Sequence, residues 1–119
     1  MAESPSSDLA AAHSQRINGQ YGEADDLYRR VLAADECAAD AWWGLGLTLM
    51  NMGEFEESIA CLEKASALVP TSQRYLLDLG KHQTMLGLYD EAKPVFERVV
   101  AVDGNTREAE DARNQLRYC

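Results

Sequence analysis

Gly19-Gln20-Tyr21-Gly22-Glu23-Ala24 returns, altered in detail, as Gly53-Glu54-Phe55-Glu56-Glu57-Ser58 and again as Gly87-Leu88-Tyr89-Asp90-Glu91-Ala92. The interval is 34 residues both times and needs no gap. The register holds on either side. Tyr28, Leu62 and Phe96 coincide, as do Ala34, Leu68 and Val102 before the turns Asp35-Glu36, Val69-Pro70 and Asp103-Gly104. Self-similarity at this period is the mark of a repeat architecture, in which each unit is a piece of supersecondary structure that buries its apolar face only by stacking on a neighbour.

The middle copy reads as two helices. Trp42, Leu45, Leu49 and Met52 stand at helical spacing, and Ile59, Leu62, Ala65 and Leu68 do so after a break at Gly53. Glycine at such a break can take the left-handed conformation that ends a helix. Pro70 closes the second helix. The third copy predicts helices near 73–86 and 90–102, with Asp90 as cap of the second and Pro94 in its opening turn. Breaks are expected near 19–22, 36–38, 53–55, 70–72, 87–89 and 104–106, which makes seven antiparallel helices. The last, about 107–117, carries Ala109, Ala112 and Leu116 on one stripe among charged residues and suits a terminal cap.

These residues resemble the tetratricopeptide repeat family, whose signature W-x-x-L-G-x-x-Y, A-x-x-x-F and P appears as Trp42-x-x-Leu45-Gly46-x-x-Leu49, Ser58-x-x-x-Leu62 and Pro70. The third copy offers Leu76, Leu79, Gly80, Gln83, Ala92, Phe96 and Gly104 at the same places. The first keeps its second half but has Asp8, Ala11 and Ala12 where Trp, Leu and Gly are usual, and Asp8 there suggests a helix cap. The resemblance implies a single all-α domain over residues 1–119, a right-handed superhelical array of helical hairpins. Its repeats would lie at about 5–38, 39–72 and 73–106, after a frayed tail at 1–6. Gly46 and Gly80 would let paired helices approach closely, with Trp42, Phe55, Leu62, Tyr89 and Phe96 filling the gaps.

Composition narrows the function. The chain has 119 residues, 46% hydrophobic and 26% charged, which is ordinary for one globular domain. No apolar stretch reaches the length of a membrane span, and the first residues lack an export signal, so the expected location is the cytoplasm. Net charge is −9, with seven acids against three bases in residues 1–38 and five against one in 39–72. Such a surface repels nucleic acid and anionic lipid, and Arg29-Arg30 reads as a solvated helix face. Cys37, Cys61 and Cys119 are odd in number and lack C-x-x-C spacing, against both a disulfide framework and a thiolate zinc site.

No catalytic constellation is visible. His13 and His82 lie in different repeats without a metal-ligand partner at helical spacing, and Asp25-Asp26 and Glu56-Glu57 diverge around their helices. The expectation is no enzyme, no cofactor and no metal. By the resemblance, the first helix of each repeat lines a concave groove. The inward places are then Leu9, His13, Arg16 and Ile17; Asp40, Trp43, Gly44, Leu47 and Met50; and Arg74, Leu77, Asp78, Lys81 and Met85. Trp43, Leu47, Met50, Leu77 and Met85 would form an apolar strip edged by Asp40, Arg74, Asp78 and Lys81, with His13 beside it, and an exposed strip of that kind suggests partner binding. A subgroup of the family clamps the C-terminal carboxylate of heat-shock chaperones with Lys, Asn and Arg. The matching places here hold Leu9, His13, Gly44, Arg74 and Asp78, so no carboxylate clamp is expected.

The function expected is therefore protein binding by an adaptor, scaffold or chaperone-like module that takes a peptide or helix of another protein. The alternatives are a self-assembling structural oligomer, with the chain itself as partner, and a bacterial secretion chaperone.

Overall fold

A computed structural model describes residues 5–119. Seven α-helices and no strand occur among the described residues. They fall into two compact units, one ending at Leu68 and one starting at Val69. The first holds α1 (Pro5–Ile17), α2 (Tyr21–Ala34), α3 (Ala39–Asn51) and α4 (Phe55–Leu68); the second holds α5 (Gln73–Met85), α6 (Tyr89–Val102) and α7 (Arg107–Leu116). None of these helices is long and apolar enough to cross a membrane. Most of the tail expected at 1–6 lies outside the described residues, and α1 is already helical at Pro5.

The recurring hexapeptide is a recurring hydrogen-bond pattern. Gly19, Gly53 and Gly87 have φ of +80°, +81° and +78°, where a side chain would be strained. The residue after each glycine donates back to the helix just ended: Gln20 N–H to Gln15 O at 2.8 Å, Glu54 N–H to Leu49 O at 2.9 Å and Leu88 N–H to Gln83 O at 2.8 Å. The carbonyl of that same residue then accepts the first bond of the next helix, from Ala24, Ser58 and Ala92, each at 3.0 Å. One residue thus closes one helix and opens another, and so tight a connection makes the two helices antiparallel neighbours.

This economy overturns two expectations. Asp90 does not cap α6. Leu88 holds the cap position without a side-chain bond, so Asp90 is the second helical residue and Pro94 the sixth. Pro94 lies past the opening turn and forfeits one backbone bond. Asp8 is not a cap either: α1 is running by Pro5, which places Asp8 inside it, only 5% exposed, with Arg30 Nη1 at 3.8 Å. Real side-chain caps occur where no glycine turn is present. Ser72 Oγ accepts from Tyr75 N–H at 3.3 Å and Thr106 Oγ1 from Ala109 N–H at 3.0 Å.

Within the first unit the core is built by Ala12, Ala24, Tyr28, Val31, Ala41, Leu45, Leu49 and Cys61, with Trp42 packed against it. Close approach is visible where it was expected. A Cβ on Gly46 would lie 2.8 Å from Leu62, and one on Gly80 would lie 2.6 Å from Phe96. Phe55 and Tyr89 do not fill gaps, however; each is the first residue of its helix, beside the turn, and both are exposed. In the second unit Gln73 Nε2 bonds Val99 O and Asp103 O, both at 2.8 Å, and ties the start of α5 to the end of α6. Helix α7 packs on α6 and α5 through buried Ala109 and Ala112, and Arg113 Nη2 donates to Gly104 O at 2.7 Å.

Candidate functional site

The first unit gathers five side chains between α1, α2 and α3. His13 and Arg16 are three apart on α1 and so share a face. Tyr28 reaches them from α2, and its ring passes over Gly44 so closely that a Cβ there would overlap it. Its hydroxyl emerges beside α3, which contributes Asp40 and Trp43. Arg16 Nε donates to Tyr28 Oη at 3.0 Å. His13 Nδ1 lies 2.5 Å from the same oxygen, and His13 Nε2 lies 2.9 Å from Asp40 Oδ2. Arginine can only donate, so the hydroxyl oxygen accepts from it, and a carboxylate can only accept, so Nε2 carries a hydrogen toward Asp40. In the Nε2–H tautomer of the imidazole, Nδ1 is the acceptor for the Tyr28 hydroxyl hydrogen.

Burial keeps the Tyr28 hydroxyl protonated. Desolvation raises its pKa, Asp40 adds to the rise, and the Arg16 bond and charge work against it. Trp43 closes the cluster, with Arg16 Cζ 5.0 Å from the centre of its ring and His13 edge-on at 6.0 Å. A guanidinium over an indole is a cation–π contact that holds both groups in place. Leu47 and Met50 continue from Trp43 along α3 at i+4 and i+7, both half-buried.

The residues expected to line the site divide accordingly. His13, Asp40, Trp43, Leu47 and Met50 belong to the first unit and share its α1–α3 surface. In the second unit Met85 is 68% exposed and Arg74 is exposed, while Asp78 is half-buried. Leu77 is only 8% exposed and belongs to the core. It is followed at i+2 by Leu79, and the face of α5 turned to the core is wide enough to take in both. Lys81 Nζ is 2.5 Å from Asp111 Oδ2 of α7, so its charge is partly met within the unit. Tyr28 was legible only as an apolar residue in register with Leu62 and Phe96. The signal that could have revealed its role is the hydroxyl itself, which needs a partner, together with His13 and Arg16 on one face of the preceding helix.

A concavity of about 430 Å³ opens on the same unit over Trp42, Leu45 and Cys61, walled by Arg29, Glu57 and Lys64. Arg29 bridges Asp25 and Glu57, each at 2.5 Å, which raises its pKa through Glu57 first. Trp42 is fixed by its indole N–H on Glu36 O at 2.8 Å. Burial pushes the Cys61 thiol up to about 11, so it is not a nucleophile at neutral pH. Among the described residues no group of three or more His, Cys, Asp or Glu is placed to hold a metal ion.

A tetratricopeptide repeat profile matches residues 37–105, and a second one of the same description matches 9–50. The chain belongs to the tetratricopeptide repeat family. No curated protein sequence matches it. Solved structures do. The first TPR of Spaghetti (RPAP3), bound to the HSP90 peptide SRMEEVD, is 23% identical over 96% of this chain and 88% of that one, with a TM-score of 0.85. The type III secretion translocator chaperone SycD of Yersinia enterocolitica, described as an alternative dimer, is 16% identical over 99% and 89%, with a TM-score of 0.84. SycD in complex with a peptide of the translocator YopD is 16% identical over 95% and 86%, with a TM-score of 0.82. At these identities the likeness establishes the all-α TPR solenoid as the fold and nothing finer. The expectation from the sequence that there is no carboxylate clamp finds no support in the fold, because one neighbour of this fold is bound to SRMEEVD.

Proposed function

We propose that this chain is a protein-binding module, not an enzyme, and that the α1–α3 surface of its first unit holds a peptide or helix of a partner protein. The observation that carries this is Trp43, fixed between Arg16 and His13 at the head of the Leu47–Met50 row. A rigid aromatic anchor with apolar neighbours and a polar edge is the composition of an interface centre. Arg74, Asp78 and Met85 occupy the corresponding places of the following repeat in sequence and belong to the second unit. Structural neighbours that hold peptides, from HSP90 in one case and from YopD in the other, support peptide binding as the general role. The cytoplasm remains the proposed location, in keeping with three free cysteines, two of them exposed.

Trp43→Ala combined with Leu47→Ser tests the reading. Neither residue is fully buried, so circular dichroism and melting should stay close to the parent. Proteins captured by the parent and identified by mass spectrometry should be lost, since removing an aromatic anchor costs about 2–4 kcal/mol of binding. Undiminished capture by a folded variant would place the site elsewhere. Self-association is the second reading, favoured by the neighbour described as an alternative dimer. Sedimentation over a range of concentrations separates the two, because only self-association makes the mass depend on concentration.

A further inference from the structure

We infer that Arg16 selects the partner: it is the seat for an acidic side chain, Asp or Glu, that neighbours the residue packed on Trp43. This rests on the proposed binding surface and specifies what that surface takes. Residues 1–68 contain twelve acids and four Lys or Arg, so a guanidinium there has every opportunity to find a carboxylate. Arg29 has two, Asp25 and Glu57, and Arg30 has Asp8 at 3.8 Å. Arg16 has no carboxylate within ion-pair distance among the described residues. It is nonetheless oriented, by its Nε–H on Tyr28 and by the Trp43 ring beneath it. Its two terminal nitrogens make no bond to the described residues and keep the planar fork that matches a carboxylate with two parallel bonds.

The groups facing Arg16 are otherwise committed. Tyr28 Oη is bonded to His13 Nδ1, and His13 Nε2 is bonded to the Asp40 carboxylate at 2.9 Å. A terminal carboxylate gathered by several donors finds only the one fork. The places at which the clamp subgroup gathers its donors are Leu9, His13, Gly44, Arg74 and Asp78, and Arg16 is none of them. A single acidic side chain, with its neighbour on Trp43, Leu47 or Met50, fits what is offered.

Three probes test this on the full chain: the peptide SRMEEVD as free acid, the same peptide amidated at its C-terminus, and amidated SRMQQVN. Binding is read from Trp43 indole N–H shifts and from fluorescence. The first two should bind within about threefold of each other and the third about tenfold or more weaker, the loss expected for one charge-assisted fork. Arg16→Gln should weaken the first two by about the same factor and the third by clearly less, and Arg16→Lys should restore part of it through charge alone. Binding abolished by amidation would assign the fork to a chain terminus and overturn the inference. An unaltered response of Arg16→Gln, or no binding of any peptide at about 2 mM, would overturn it too. If Trp43→Ala with Leu47→Ser abolishes binding while Arg16→Gln does not, the surface stands and Arg16 falls. If peptides bind and neither variant matters, both fall.

Discussion

Replacing Tyr28 with Phe removes one oxygen atom from the centre of the α1–α3 cluster and nothing else. The fold should accept the ring, because Phe96 occupies the matching place of the third repeat and is fully buried. What is lost is countable. Arg16 Nε loses its 3.0 Å acceptor and His13 Nδ1 its 2.5 Å partner. A neutral hydrogen bond contributes about 1 kcal/mol and one to a charged group about 1.5–3 kcal/mol. Both partners are half-buried, so water recovers part of each, and a net loss of about 1–2 kcal/mol is expected. For a domain of this size that lowers Tm by roughly 4–12 °C. The second readout is specific to the site. Without the hydroxyl Nδ1 loses its hydrogen-bond partner while Asp40 still holds Nε2, so the ¹⁵N shift of His13 Nδ1 should move. The near-ultraviolet dichroism of Trp43 should weaken as Arg16 and His13 loosen around it. A variant with parental Tm and unchanged His13 nitrogen shifts would refute the network and, with it, the preorganised site.

Leu45→Asp or Leu79→Asp should leave the chain unfolded by circular dichroism, since these sites are 1% and 4% exposed and an unpaired buried carboxylate costs several kcal/mol against a total of about 5–15 kcal/mol. Truncation before Arg107 should lower Tm and solubility by baring the α6 surface that Ala109 and Ala112 cover; unchanged melting would show that α7 is not a cap. Burial lowers the His82 pKa below its ordinary 6.5, with Asp78 opposing and Lys81 assisting, so the unfolded chain binds more protons than the folded one. Stability from this residue is therefore complete above about pH 6.5 and declines as pH falls below it, and His82→Gln should reduce the slope of Tm against pH in that range. Denaturant unfolding of the full chain is expected to be one transition by both far-ultraviolet dichroism and tryptophan fluorescence, as one domain over 1–119 requires; separate midpoints would divide it between the two units.

The helices were legible because their stops are chemical. Gly19, Gly53 and Gly87 each sit at a positive φ that only glycine adopts readily, and a 34-residue recurrence of that constraint is visible without coordinates. Starts were less legible, as Asp8 and Asp90 show. An acid near the beginning of a helix has the chemistry of a cap, but backbone bonds from the residue after glycine had already set the start two residues earlier at α6. Side-chain roles were harder still, because a register assigns a direction and not a partner. Leu77 and Leu47 stand at different places of the repeat, 43 and 47 being matched by 77 and 81, and Leu77 became core while Trp43 at its matching place remained half-exposed. Tyr28 is the sharper case. In register with Leu62 and Phe96 it supplies apolar bulk as they do, yet its added oxygen recruits His13 and Arg16 from one helix and, through His13, Asp40 from another. Periodicity averages over such differences, and the difference is where a repeat protein acquires a site of its own. The functional chemistry of this chain is therefore to be sought where one copy departs from the others, and the first copy, with His13, Arg16 and Tyr28, departs furthest.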